Sequence, residues 1–250
     1  MSTANHDHHD ARFIALNGTL NTRDLGGLPV VGNGKTHSGV FYRSDIPMQL
    51  AEADFERLHD LGLRTVIDLR QPQELERDPN SLATHSDIDY QNVEIWGHID
   101  AAGAQPSDPF DITAFYIRAL DHAGSAFVRV LTLLADAPGA ALFHCTAGKD
   151  RTGLVAALLL EAVGVDRATI VEDFALTHDR IEPLRQRLLA DAEGRGIKRS
   201  DFARLLGATP DLIGPALEHL DARFGGAIAY LESNGLTPET LEKLRHKLVD

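Results

Sequence analysis

Ala140-Ala141-Leu142-Phe143-His144-Cys145-Thr146-Ala147-Gly148-Lys149-Asp150-Arg151-Thr152-Gly153-Leu154-Val155-Ala156-Ala157-Leu158-Leu159-Leu160 runs from one apolar segment to another through ten small or polar residues, 144–153. The first segment, 140–143, has the length of a buried strand; the second, 154–163, is apolar nearly all round, as a helix at a domain centre must be. Gly164 is a natural stop for that helix. A strand that turns straight into a buried helix leaves its loop at the helix N-terminus. Free backbone N–H groups and the positive end of the macrodipole attract an anion there. Thr146, Ala147 and Gly148 are small enough for successive N–H groups to converge on one.

Outward from this segment the pattern alternates. Strands are expected at 13–16, 40–43, 65–69 and 90–95, with a turn at 21–27. Helical spacing appears at 51–61, where Phe55, Leu58 and Leu61 fall on one face, and at 111–120 and 124–135. Beyond 164 the chain reads as helices: Asp166 is placed to cap one, Pro183 restarts the pattern, and Thr209-Pro210 and Thr237-Pro238 each read as a cap with proline in the first turn. The expected fold class is α/β: a central, mostly parallel sheet flanked by helices, with a helical C-terminal region. Residues 1–11, carrying His6, His8 and His9 but no apolar period, read as a disordered tail, and 12–250 as a single domain.

Cys145 is the only cysteine, which excludes an internal disulfide and a cysteine-based metal cluster. Most lone cysteines are small buried hydrophobes. Here the helix-terminal field favours a thiolate, a competent nucleophile toward phosphorus. Arg151 stands six positions on, where a guanidinium can grip two phosphate oxygens. Thr152 can bond the sulfur and help it leave. Thr146, Ala147, Gly148, Lys149 and Thr152 are the expected phosphate-binding set, and His144 an orienting group behind it.

The net charge of −13 argues against a nucleic-acid partner, so an anionic substrate must be held by a few local donors. No apolar run is long enough for stable membrane insertion, and the polar N-terminus lacks a signal-peptide pattern; a cytoplasmic location is expected, with unconventional export still compatible. A nucleotide-binding P-loop fails because Asp150 follows Gly148-Lys149 where Ser or Thr is required. Three rivals stay open at this point. A metal-dependent phosphohydrolase could draw on His59-Asp60 and His178-Asp179, although both dipeptides fall on ordinary helical stretches. Sulfur transfer also uses a loop cysteine, and a phosphate-binding module would use the loop without turnover.

The string His144 to Gly153 resembles the signature of the protein tyrosine phosphatase superfamily. Together with Asn21-Thr22-Arg23-Asp24-Leu25-Gly26-Gly27, Tyr42-Arg43-Ser44-Asp45 and Ile67-Asp68-Leu69-Arg70, it is similar to the atypical bacterial tyrosine phosphatases of the mycobacterial protein tyrosine phosphatase B type. The matching pieces span roughly 20–180, in the family's order. The resemblance implies a dual-specificity enzyme without metal or other cofactor. It would act on phosphoproteins or phosphoinositides through a cysteinyl-phosphate intermediate, with the helices of 166–235 as a mobile lid.

The proton donor is not fixed by pattern. No Trp-Pro-Asp loop exists; Trp96 is followed by Gly97. The resemblance points to Asp68 as general acid, with Asp100, Asp108, Asp111 and the loop's own Asp150 as alternatives. Lys149 is similar to a lysine of phosphoinositide phosphatases, where a second ammonium holds a second phosphate, but it can equally balance Asp150. Arg23 and Arg43 are undecided between ion-pair partners and contacts at the site mouth.

Overall fold

The computed structural model describes residues 11–32, 34–101 and 111–249. The expected tail, 1–11, lies outside them except for Ala11. Five strands form one sheet in the order β1-β2-β5-β3-β4: β1 Arg23–Asp24, β2 Phe41–Ser44, β3 Leu63–Asp68, β4 Asp89–Asn92 and β5 Ala140–His144. Only β1 runs antiparallel, against β2; the other pairings are parallel. The α/β class with a mostly parallel sheet is therefore observed. Phe13, expected in a strand, makes only an isolated bridge to Arg23, and the stretch expected as a turn supplies β1.

The helices, in chain order, are α1 Glu52–Asp60, α2 Pro72–Arg77, α3 Trp96–Ala101, α4 Ile112–His122, α5 Gly124–Asp136, α6 Asp150–Ala162 and α7 Arg167–Ala175. They continue with α8 Thr177–Arg180, α9 Glu182–Gly194, α10 Arg199–Leu206, α11 Pro210–Phe224, α12 Ala227–Ser233 and α13 Pro238–Leu248. Asp166 caps α7 by accepting from Thr169 N, and Thr237 caps α13 by accepting from Thr240 N. Gly164 follows α6 at φ +95°, where a side chain would be strained.

β5 lies in the middle of the sheet and is buried at every residue. α6, which follows it, is buried at every position but Asp150 and Glu161. This explains why 154–160 carries no polar face, and why trimming one of its leucines to alanine should cost about 2–5 kcal/mol. Parallel strands meeting at β5 bring the C-terminal ends of β2, β3 and β5 to one edge, with Ser44 and Asp68 each paired to His144. That edge is where an open α/β sheet offers a crevice.

The helices after 166 divide. Ile213, Leu217 and Leu220 of α11 and Tyr230 and Leu231 of α12 belong to the main core, so 210–233 is part of the body. α10 has no buried residue, and α9 buries only Leu189 and Ala192. The stretch expected as a lid, 166–235, thus contains only one pair of helices, 182–206, that stands apart from the core. No helix among the described residues is long and apolar enough to cross a membrane.

Candidate active site

Cys145 follows the last residue of β5 and is 2% exposed. The loop Thr146–Lys149 leads into the N-terminus of α6. None of the four N–H groups from Thr146 to Lys149 donates to an acceptor among the described residues. Gly148 adopts φ +65°, and a Cβ there would lie 2.5 Å from Ser44 O and 2.6 Å from Asp45 N, so backbone presses against it from β2. The loop is a helix-terminal nest of unspent donors, the arrangement that receives an oxyanion.

The loop's carbonyls are tied from behind. Asn21 Nδ2 donates to Ala147 O at 3.1 Å and Gly148 O at 3.2 Å, and Arg43 Nη2 donates to Gly148 O at 2.9 Å. Arg43 Nη1 reaches Asp173 Oδ2 of α7 at 2.6 Å, and Arg12 Nη1 and Arg23 Nε reach Asp173 Oδ1 at 2.8 and 3.2 Å. Arg23 also donates to Asn21 Oδ1. Burial, and then the neighbouring Arg43, lowers the Arg23 pKa to about 9. Burial alone would raise Asp173, but Arg23, Arg12 and Arg43 outweigh it and hold the carboxyl well below the usual range. Arg23 and Arg43, undecided from sequence, are thus buried ion-pair partners that also brace the loop.

Arg151 opens α6 and is 6% exposed. Its Nη1 and Nη2 donate to Glu74 of α2 at 2.5 and 2.8 Å, and Thr146 Oγ1 donates to the same carboxylate at 2.6 Å. Burial disfavours the Glu74 charge, yet the hydrogen bonds from Arg151 and Thr146 hold its pKa down at about 2. Trp96 covers the guanidinium, 5.4 Å from Arg151 Cζ to the ring centroid. Arg151 Nε and Thr152 Oγ1 are buried and without a hydrogen-bond partner among the described residues. Neither Glu74 nor Trp96 was expected at the site. Pro72 followed by Glu74, the pattern of a helix first turn, is the sequence signal that marks α2; nothing in the pattern ties it to Arg151.

A cavity of about 330 Å³ opens beside Thr146, walled by Leu20, Asp45, Ile46, Met48, Leu184 and Arg187. The site therefore combines a buried thiol, an anion nest, a braced arginine and room alongside. Residues 14–250 match the sequence pattern of the tyrosine phosphatase family. The chain belongs to that family. A tyrosine-protein phosphatase of Nostoc commune is 33% identical over 208 residues, covering 80% of this chain and 71% of that protein. The triple specificity protein phosphatase PtpB of Mycobacterium tuberculosis is 30% identical over 257 residues, covering 84% and 91%. The crystal structure of Pseudomonas aeruginosa TpbA aligns with 68% of this chain and 87% of its own at a TM-score of 0.39 and 20% identity. Membership makes this chain a phosphatase enzyme.

In this tyrosine phosphatase Asp68, the expected proton donor, lies buried among fixed partners. Asp68 is 0% exposed, and its carboxylate accepts from Arg70 Nη2 at 2.7 Å and Tyr90 Oη at 2.6 Å, with His144 Nε2 at 3.3 Å. Burial would raise its pKa, but His144, Arg70 and Tyr90 prevail and keep it well below the usual range. Those partners favour the ionised carboxylate, which counts against Asp68 as a proton donor. His144 is buried beside it, with Nδ1 2.9 Å from Cys145 O and Nε2 2.7 Å from Asn80 Nδ2, between the sheet edge and the loop.

Of the other acids, Asp111 caps α4 by accepting from Ala114 N, while Asp108 and the side chain of Asp100 lie outside the described residues. Asp150 remains at the loop. Its Oδ1 accepts from Tyr116 Oη at 2.5 Å and lies 3.1 Å from Lys149 Nζ; its side chain is 24% exposed, and Oδ2 makes no hydrogen bond among the described residues. Lys149 does not face the mouth. It is 1% exposed, with Nζ on the carbonyl of Leu205 in the last turn of α10. His59 and Asp60 are exposed on α1, and both ring nitrogens of His178 are engaged, by Arg185 and by Ala208 N. Among the described residues no group of three or more His, Cys, Asp or Glu is gathered as for a metal.

Proposed function

We propose that this phosphatase hydrolyses phosphotyrosine through a cysteinyl-phosphate intermediate on Cys145. The observation that carries the reading is the run of four unspent N–H groups directly after Cys145 at the start of α6. The Cys145 thiolate attacks phosphorus in line as the P–O bond to the substrate oxygen breaks. The loop N–H groups and Arg151, through its unpartnered Nε, take the charge that builds on the non-bridging oxygens. Thr152 Oγ1, buried and unpartnered, donates to the sulfur when it becomes the leaving group.

Asp150 gives its proton to the departing phenolate oxygen. In the second step its carboxylate takes a proton from the water that attacks the phosphocysteine, releasing phosphate and restoring the thiolate. Phosphoserine, phosphothreonine or phosphoinositide esters extend the same chemistry, and the name of the Mycobacterium tuberculosis relative supports a broad range. Lys149 lends no support to inositol lipids while its ammonium is buried between Asp150 and the carbonyl of Leu205.

Acid quenching during turnover of a phosphotyrosine peptide should trap phosphate on Cys145 in the wild type and none in Cys145→Ser. Turnover by Cys145→Ser, or activity that a chelator abolishes, would refute the reading.

A further inference from the structure

Two motifs, Asn21-Thr22-Arg23-Asp24 and Tyr42-Arg43-Ser44-Asp45, have no part in the chemistry just described, yet each sends one side chain, Asn21 and Arg43, to the carbonyls at the back of the phosphate loop. We infer that Asn21 and Arg43 are positioning residues that aim the loop's N–H groups at the substrate phosphate, with Asp173 as the hub that holds them. The inference rests on the phosphate-loop reading above.

Peptide geometry couples the two sides of the loop. In a trans peptide the N–H lies antiparallel to the C=O, and the described residues contain no cis bond. Asn21 and Arg43, 0% and 1% exposed, draw the carbonyls of Ala147 and Gly148 toward the buried side. The N–H groups sharing those peptides belong to Gly148 and Lys149, and they are thereby turned away from it. A loop of small residues with a glycine at φ +65° does not hold such an orientation unaided.

Asn21 is itself fixed: Arg23 donates to its Oδ1, leaving Nδ2 aimed at the loop. Arg23 and Arg43 are in turn fixed by Asp173, whose backbone carbonyl accepts from Arg23 Nη2 at 2.8 Å as well. The chain of contacts thus runs from α7 through β1 and β2 to the loop. Preorganised donors of this kind matter because they meet the charge of the transition state without reorganising.

Asn21→Asp is the decisive variant. It keeps the shape and strengthens the pairing with Arg23, but presents an acceptor to two carbonyls. Arg43→Lys is the second: it keeps the charge and cannot span Asp173 and Gly148 O together. Calorimetric titration of the full chain with inorganic phosphate, alongside thermal melting, separates aim from stability. The expected result is phosphate affinity at least about tenfold weaker in both variants, with melting near that of the wild type for Asn21→Asp. Wild-type phosphate affinity in Asn21→Asp, or in a folded Arg43→Lys, overturns the inference. Failure of the wild type itself to bind phosphate would instead strike the phosphate-loop reading.

Discussion

The Glu74 carboxylate accepts from both terminal nitrogens of Arg151, at 2.5 and 2.8 Å, so the guanidinium is clamped from the side of α2 while its Nε is left unpartnered. A clamp of this kind gives up some of the arginine's charge in exchange for a fixed plane. Glu74→Gln keeps the shape and removes the charge. The expected outcome is a fall in kcat of about 10–100-fold with KM unchanged or lower, because orientation is lost while attraction for phosphate is not. Steady-state kinetics decide it; a higher KM at constant kcat would show that Glu74 serves binding alone.

Gly148 tolerates no side chain. With φ at +65° and the backbone of Ser44 and Asp45 at 2.5–2.6 Å from a would-be Cβ, Gly148→Ala must shift either the loop or β2. Turnover should drop at least tenfold and the melting temperature should fall. An active, unaltered Gly148→Ala enzyme would mean that the loop geometry is unimportant.

Asp150 and Asp68 should part company in a leaving-group series. Asp150→Asn is expected to slow esters of weakly acidic alcohols by about 100-fold and to spare those with good leaving groups, the behaviour of a lost general acid. Asp68→Asn leaves Arg70 buried without its counter-charge and should act through stability, by about 3–5 kcal/mol in denaturant unfolding. If Asp100→Asn or Asp108→Asn shows the leaving-group dependence and Asp150→Asn does not, the acid has been misassigned.

Asp45 accepts from the N–H groups of Leu20 and Asn21, but burial pushes its pKa up to about 6 from an ordinary value of 3.8. The folded state therefore holds this proton more tightly than the unfolded chain does. Its contribution to stability is fully present below pH 3.8 and is lost as pH rises through about 6. Unfolding free energies across that window should decline more steeply in the wild type than in Asp45→Asn, which carries no charge to bury. Parallel slopes would contradict this.

The proposed catalytic loop could be read from the chain because all its parts are contiguous. Strand, loop and helix are set by local period and by the absence of a polar face on 154–160, and the family's short motifs follow in order. The α/β class was legible for the same reason. The missed elements were short: α2 and α3 have six residues each, too few for a period to show. The surroundings of Asp68 were not legible in this way, because two of its partners come from β4 and β5, and only sheet pairing brings Tyr90 and His144 to its carboxylate.

By itself, then, the sequence determined what depends on near neighbours: a lone thiol at a helix N-terminus, with an arginine and a threonine at fixed spacing. Tertiary structure alone decided what depends on burial and on partners far along the chain. It set Glu74 on Arg151, sealed Asp68, turned Lys149 to Leu205, and gathered Arg12, Arg23 and Arg43 on Asp173. Ionisation and hydrogen-bond supply are properties of a place, and those places exist only once strands 23–24, 41–44 and 140–144 lie side by side.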